Sequence, residues 1–187
     1  MTGIRISDRA IGRALRLPPP TTGYTVTRYL PVPMRDGVVL RSDHYAPRTA
    51  APLGTILVRG PYGRAFPFSV IYARIYAARG YQVVFQSVRG TSGSAGRFVP
   101  MAHEAADGAD TMAWLRGQSW FTGTFATIGL SYLGFTQWAL MSDPPPELAA
   151  AVITVGPHDL YTSTWGTGAF ALNDFVGWAL MMAHQEQ

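Results

Sequence analysis

One serine-centred stretch, residues 126–134, constrains what this chain can fold into more than any other part of the sequence. A short apolar segment runs into Ser131, and an almost wholly apolar segment, residues 135–141, follows it. A serine at a sharp strand-to-helix turn exposes its hydroxyl at the top of a sheet, beside backbone N–H groups that can bind an oxyanion. Gly129 and Gly134 suit such a turn, because side chains on its flanks would collide. The pattern predicts that Ser131 is a nucleophile. An ordinary serine in a structural turn is the alternative, since the second glycine stands one residue later than in G-x-S-x-G.

The composition predicts a soluble globular chain with one core. Of the 187 residues, 48% are hydrophobic and 14% are charged, which excludes a disordered chain. There is no cysteine, which excludes a disulfide framework and a thiolate metal site and suits the cytoplasm. We therefore expect a cytoplasmic protein without metal or cofactor.

Charge and hydropathy argue against nucleic acid or a membrane as a partner. The net charge is +4, and all 15 basic residues are arginines, spread singly along the chain. A nucleic-acid surface would normally cluster them, so we interpret Arg64, Arg74 and Arg79 as a solvated face. The most apolar segment, residues 169–183, is interrupted by Asn173-Asp174 and is too short to span a bilayer.

The order of predicted elements indicates an α/β fold with a mostly parallel sheet. The sequence pattern predicts, in order, an extended arm (1–22), two strands joined as a hairpin (24–32 and 38–45), a buried strand (55–58), a helix (68–79), a strand (81–88), a helix (104–117), the strand and helix around Ser131, a buried strand (148–155) and a final helix (170–184). A hairpin followed by alternating strands and helices describes the first part of an α/β-hydrolase sheet, which places the nucleophile after the third strand beyond the hairpin. We expect an arm over 1–22, a partial hydrolase core over 23–160 and the beginning of a helical cap over 161–187.

Five ordered motifs together resemble one family. They are V-P-M-R-D-G-V at 32–38, V-R-G-P-Y at 58–62, R-G-T-S-G-S-A-G-R-F at 89–98, the tryptophan-containing stretch at 113–123 and G-L-S-Y-L-G-F-T-Q-W at 129–138. From about Tyr24 onward the chain resembles the N-terminal part of the cocaine esterase/X-prolyl dipeptidyl peptidase (CocE/NonD-like) α/β-hydrolases, a group that includes α-amino-acid ester hydrolases and glutaryl acylases. In this family a late second glycine in G-x-S-Y-x-G is normal.

The resemblance implies roles for particular residues. Ser131 would be acylated, while the backbone N–H of Tyr132 and the phenolic hydroxyl of Tyr62 would form the oxyanion hole. Trp165 and Trp178 would line the substrate pocket where the cap begins. The alternatives are a loop aromatic at position 62 that packs on the sheet edge, and ordinary core aromatics for the two tryptophans. The family usually has an aspartate where Ser87 stands, and we expect that position to be structural.

A serine nucleophile needs a base and a carboxylate that orients it. In the family both follow the cap, and this chain ends as the cap begins, so no residue is matched to either partner. We interpret His44 and His103 as exposed polar residues, and His184 lies at the end of the chain. His158, with Asp159 beside it, lies at the correct sheet edge, but adjacent residues seldom form a base and its orienting acid.

Three hypotheses therefore remain open. The chain is the N-terminal part of an ester or amide hydrolase, a catalytically inactive binding or assembly module, or a hydrolase whose base comes from a second chain. The small-molecule substrate could be an ester, a β-lactam-like acyl compound or an X-Pro dipeptide. The absence of an acidic cluster near the serine favours an ester. We also expect an unpaired sheet edge and an apolar cap surface, which would make the chain aggregate or form a homo-oligomer.

Overall fold

The described part of the chain forms one mixed sheet of six strands, in the spatial order β1-β2-β4-β3-β5-β6. The computed structural model describes residues 3–184. The strands are β1 (Tyr24–Pro33), β2 (Val39–Pro47), β3 (Gly54–Gly60), β4 (Tyr81–Ser87), β5 (Phe125–Leu130) and β6 (Leu148–Thr154). β2 pairs antiparallel with both β1 and β4, whereas β4, β3, β5 and β6 run parallel to one another. The predicted hairpin and parallel strands are confirmed.

Helices cover both faces of this sheet. They are α1 (Ile6–Ala14), a π-helical segment (Val70–Arg74) that continues into α2 (Ile75–Ala77), α3 (Glu104–Arg116), α4 (Tyr132–Leu140), α5 (Leu160–Trp165) and α6 (Leu172–His184). On β3, Ile56 and Val58 pack into the core beneath the π-helical segment and α2, while Leu57 packs into a second core against α3. A strand that is apolar on both faces is typical of a parallel sheet with helices on each side, as predicted. Within residues 3–184 no helix is both long and apolar enough to cross a bilayer.

The prediction of an extended arm was wrong over Ile6–Ala14, which forms α1. This helix packs near α2, where the buried carboxylate of Asp8 accepts hydrogen bonds from Arg74 at 2.6 and 3.1 Å. The segment after α1 is held to the same region, because Thr21 and Thr22 N–H groups both donate to the Ala78 carbonyl. The first two residues of the expected arm lie outside the described residues.

The arginines interpreted as a solvated face make specific contacts instead. Arg64 is buried and donates to the Asp43 carboxylate at 3.2 Å and to the Ser87 hydroxyl. Arg74 pairs with Asp8, and Arg79 donates to the Pro18 carbonyl at 2.8 Å. Ser87, at the end of β4, is fully buried, as expected of a structural position. The carboxylate that pairs with Arg64 comes from Asp43 on β2.

β6 was predicted to be buried, but it forms the open edge of the sheet. Its burial pattern is mostly exposed, and Val152 is 51% exposed. Among residues 3–184, β5 is the strand that pairs with it, so its outer edge has no neighbour there. A continuous apolar run identifies a strand but does not reveal how many neighbours that strand has.

The C-terminal segment forms two helices where one was predicted. α6 confirms most of the predicted helix, and α5 was not predicted; Asp159 caps α5 by accepting the Thr162 N–H at 3.1 Å. Several large apolar side chains on α6 are exposed, namely Leu172, Val176, Leu180 and Met181. The last three residues of the expected cap lie outside the described part of the chain.

His44 was predicted to be exposed, but it is only 5% exposed because β2 lies between β1 and β4. Its Nε2 lies 2.8 Å from Gln82 Oε1, and its ring stacks on Trp120 with centroids 3.8 Å apart. Burial lowers the pKa of His44 below its ordinary value of 6.5, and the hydrogen bond with Gln82 opposes this only in part. Desolvation disfavours the charged imidazolium.

This histidine should make stability depend on pH. Well above pH 6.5 the imidazole is neutral in both states, whereas the unfolded chain binds a proton before the folded chain does as the pH falls through 6.5. The free energy of unfolding should therefore fall as the pH drops from about 7.5 to about 5.5. His44→Gln should be less stable at pH 7.5 but show a flatter pH dependence across this window. Urea unfolding at a series of pH values measures both. Equal slopes for the two proteins would contradict the prediction.

Candidate active site

The backbone at Ser131 turns sharply between β5 and α4. Ser131 has φ 54° and ψ −124°, a conformation that residues other than glycine adopt at a cost of about 1–3 kcal/mol. Its N–H donates to the Thr154 carbonyl on β6 at 3.0 Å, and its carbonyl accepts the N–H groups of Gly134 and Phe135. The strained conformation is therefore held from the sheet on one side and from the helix on the other.

Close backbone approaches allow α4 to begin at this point. A Cβ added at Gly134 would lie 2.7 Å from the Cα of Gly156, and one at Gly129 would lie 3.1 Å from the Leu133 carbonyl carbon and oxygen. Backbone atoms cannot give way as a flexible side chain can. Glycine at both positions is required by the geometry of the turn, as the sequence predicts.

Tyr62 and Ser131 meet at the carboxyl edge of the sheet. Tyr62 follows β3 and Ser131 follows β5, which are neighbouring parallel strands, and their hydroxyl oxygens are 3.2 Å apart. The indole N–H of Trp178 donates to the Tyr62 oxygen, also at 3.2 Å. Because Tyr62 accepts this bond, its own proton is available to donate toward Ser131 or toward an oxygen bound beside it.

A cleft of about 210 Å³ opens over the Ser131 hydroxyl. Its lining is mostly apolar and comes from Tyr62, Met101, Ser131, Tyr132, Pro157, Asp174, Phe175 and Trp178. The N–H groups of Tyr132 and Leu133, the first two residues of α4, have no carbonyl partner within the helix, as at any helix N-terminus, and Tyr132 directly follows Ser131. The cleft thus combines a hydroxyl, N–H donors and an aromatic wall.

The structure brings together four of the five predicted site residues. Ser131, Tyr62, Tyr132 and Trp178 all line the cleft. Trp165 does not: it is 45% exposed at the end of α5 and packs against Phe170, with ring centroids 5.1 Å apart. Trp165 ends α5, before the chain turns into α6, and residue spacing alone could not show that it stays out of the cleft lining.

The side chain of Tyr132 has partners that the sequence does not indicate, because the family resemblance assigns a role only to the backbone N–H of this residue. Its hydroxyl donates to Glu104 Oε1 at 2.8 Å and accepts the Met101 N–H at 2.7 Å. Burial raises the pKa of Glu104, although the charge of Arg59 opposes this. Burial, followed by the nearby Glu104 carboxylate, raises the pKa of Tyr132, which keeps the phenol protonated as a donor. Nothing in the sequence pattern links the acids of α3 to the nucleophile.

The structure gives His158 no bond to the nucleophile among the residues it describes. The His158 side chain is exposed, and its ring lies 6.0 Å from that of Trp138. The carboxylate of Asp159 accepts the hydroxyl and the N–H of Thr162, at the start of α5. His103 is half-buried, not exposed, and residues 3–184 contain no cluster of three or more His, Asp or Glu that could hold a metal.

The strain at Ser131 can be measured with two variants that both lack the hydroxyl. Ser131→Gly should be more stable than Ser131→Ala by about 1 kcal/mol, because glycine tolerates a positive φ and alanine does not. Chemical denaturation of both variants gives the difference. At the matched position Ser163, which is exposed in the α5 helix, the order should be reversed, since glycine disfavours a helix. Alanine as the more stable residue at both positions would contradict the strain.

Comparisons with known proteins agree on one group of hydrolases. Residues 36–187 match the model of the X-Pro dipeptidyl-peptidase (S15) family. The cocaine esterase of Rhodococcus sp. (strain MB1 Bresler) is 36% identical over 165 residues, which cover 85% of this chain and 29% of the esterase.

Two solved structures support the same assignment. A CocE/NonD family hydrolase from Staphylococcus aureus is 26% identical, with a TM-score of 0.66, over 74% of this chain and 29% of that one. An α-amino acid ester hydrolase is 30% identical, with a TM-score of 0.59, over 68% of this chain and 24% of that one. The α/β-hydrolase fold is thereby confirmed. The chain spans less than a third of the length of each of these relatives.

Proposed function

Because this chain belongs to the X-Pro dipeptidyl-peptidase (S15) family of α/β-hydrolases, we propose that it cleaves ester or amide bonds through an acyl-enzyme on Ser131. The single observation that carries the proposal is the position of the Ser131 hydroxyl. It lies on a strained strand-to-helix turn, at the floor of an apolar cleft and 3.2 Å from the hydroxyl of Tyr62. A serine in a merely structural turn has no need of strain, a cleft and a facing donor together.

The proposed chemistry begins with attack of Ser131 Oγ on the substrate carbonyl carbon while a base takes the hydroxyl proton. Negative charge then develops on the carbonyl oxygen, which receives hydrogen bonds from the Tyr132 N–H and the Tyr62 hydroxyl. Collapse of this intermediate expels an alcohol or amine with a proton from the base, and water later releases the acyl group. The resemblance to the family assigns the base and its carboxylate to a histidine and an aspartate beyond the cap.

Trp178 supports this chemistry in two ways. Its indole N–H donates to Tyr62, which orients the phenol toward the position of the oxyanion. Its ring also forms one wall of the cleft together with Phe175, and an aromatic wall suits an apolar acyl group. Asp174 is the one carboxylate among the described lining residues, so the cleft fits a small-molecule ester better than a substrate amine held by several acids.

The first test is made on the protein as its own cell produces it. Its intact mass, compared with 20.3 kDa for these 187 residues, reveals whether further chain accompanies them. The protein should hydrolyse a p-nitrophenyl ester and take up one alkyl fluorophosphonate on Ser131, located by peptide mass spectrometry. Both activities should vanish in Ser131→Ala and persist in Ser142→Ala, an exposed serine outside the cleft. A folded protein with neither activity would support a binding module instead, and hydrolysis that survives Ser131→Ala would exclude this nucleophile.

The proposed donor role of Tyr62 predicts a loss confined to the chemical step. Tyr62→Phe should reduce kcat by ~10²–10³-fold with little change in KM, because the removed hydroxyl binds the oxyanion rather than the substrate. Steady-state kinetics on a p-nitrophenyl ester measure both parameters. Tyr161→Phe is the matched control, since that tyrosine is exposed on α5 and outside the cleft. A change in KM alone would show that Tyr62 only packs against the substrate.

A further inference from the structure

The phenol of Tyr132 ties the nucleophile turn to two other parts of the chain. The side chain is buried, and its hydroxyl donates to Glu104 at the start of α3 while it accepts the Met101 N–H from the loop before that helix. Met101 has a positive φ of 67° and lines the cleft. One hydroxyl therefore fixes the residue after the nucleophile and one wall of the cleft at the same time.

The carboxylate that receives this phenol is itself held in place. Glu104 is 3% exposed, and its Oε2 lies 3.2 Å from Arg59 Nη2. Arg59 also donates to the Glu104 carbonyl at 2.9 Å and to Gln86 Oε1 at 2.7 Å. Arg59 lies on β3 and Gln86 on β4, so the carboxylate is anchored to the rigid centre of the sheet. A buried ion pair is weak evidence for stability, which leaves room for another reason for its presence.

The same tyrosine has a direct connection to the chemistry proposed above. Its backbone N–H is the proposed oxyanion donor, and its ring stacks on Trp178 with centroids 6.0 Å apart and an interplanar angle of 12°. Trp178 in turn donates to Tyr62. A shift of the Tyr132 side chain would therefore be felt at both proposed oxyanion donors.

We propose that Glu104 is a positioning residue of the hydrolase, an inference that rests on the proposed function. It holds the Tyr132 phenol and thereby fixes the direction of the Tyr132 N–H and the position of Met101 at the cleft. It acts through Tyr132 and does not contact the substrate. Displacement of a donor by about 1 Å can reduce a rate by ~10²-fold, so a contact outside the cleft can matter for turnover.

Three single variants and one double variant test this in the same full protein. Glu104→Ala removes the carboxylate, Tyr132→Phe removes the phenol, and both should reduce kcat by about 10- to 100-fold with a smaller change in KM. Glu104→Gln keeps an oxygen that can accept the phenol, so it should recover most of the kcat lost in Glu104→Ala. The double variant Glu104→Ala/Tyr132→Phe should be no worse than the poorer single variant, because both remove the same contact.

The matched control is Asp107→Asn. Asp107 lies one turn further along α3, is 1% exposed and forms its own buried pair with Arg89 at 2.8 Å. It therefore shares the burial and the ion pair of Glu104 but not the contact with Tyr132. Asp107→Asn should lower thermal stability while kcat stays close to that of the unaltered protein.

A second measurement is independent of turnover. The Met101 N–H should exchange with solvent faster in Glu104→Ala and in Tyr132→Phe, and remain unchanged in Asp107→Asn, by hydrogen-exchange mass spectrometry. The inference would be overturned by an unaltered kcat in both Glu104→Ala and Tyr132→Phe, or by a loss of kcat in the double variant equal to the product of the two single losses. An equal loss of kcat in Asp107→Asn would also overturn it. Activity that survives Ser131→Ala would instead overturn the proposed function, so the two failures are distinguishable. If no turnover is found at all, unchanged Met101 exchange alone would overturn the positioning role.

Discussion

The strained backbone of Ser131 is the constraint on which the rest of the site depends. Its positive φ persists because the neighbouring N–H and carbonyl groups are bonded to β6 and α4. Close packing leaves no room for a side chain at Gly134, against the backbone of Gly156. The strain therefore cannot relax by a small local movement. In return, the hydroxyl and the start of α4 face the same cleft, which a relaxed turn would not allow.

Paired arginines and carboxylates place α3 against this turn. The three acids of the helix bind three arginines from different parts of the chain: Glu104 pairs with Arg59, Asp107 with Arg89 and Asp110 with Arg35. Two of these acids are buried, where removal of one partner would leave an uncompensated charge. The Arg89 guanidinium binds both oxygens of its carboxylate, a geometry that a lysine ammonium cannot reproduce. Each pair forms only when the helix presents that acid to its own arginine, so together they restrict which way the helix faces.

Local sequence pattern predicted the strands, the helix around Ser131 and the glycines of the turn, because these features are determined by neighbouring residues. It failed where burial depends on spatial neighbours. His44 and Arg64 are polar residues that pattern places at the surface, yet the sheet order encloses both. The meeting of Tyr62 with Ser131 was anticipated from the family resemblance and the shared sheet edge. The bond between Tyr132 and Glu104 was not, since 28 residues separate them and no periodicity relates them.

The Ser131 N–H donates to Thr154, the last paired residue of β6, from one residue past the last paired residue of β5, and β6 is the outermost strand of the described sheet. Edge strands open locally at a lower free energy than central ones. Each time β6 detaches, the turn loses one of its two backbone anchors, and φ of Ser131 is free to return to an ordinary value. The strained geometry of Ser131 therefore lasts only while β6 stays paired with β5. Any group that covers the edge of β6 would also control how long the serine keeps this conformation.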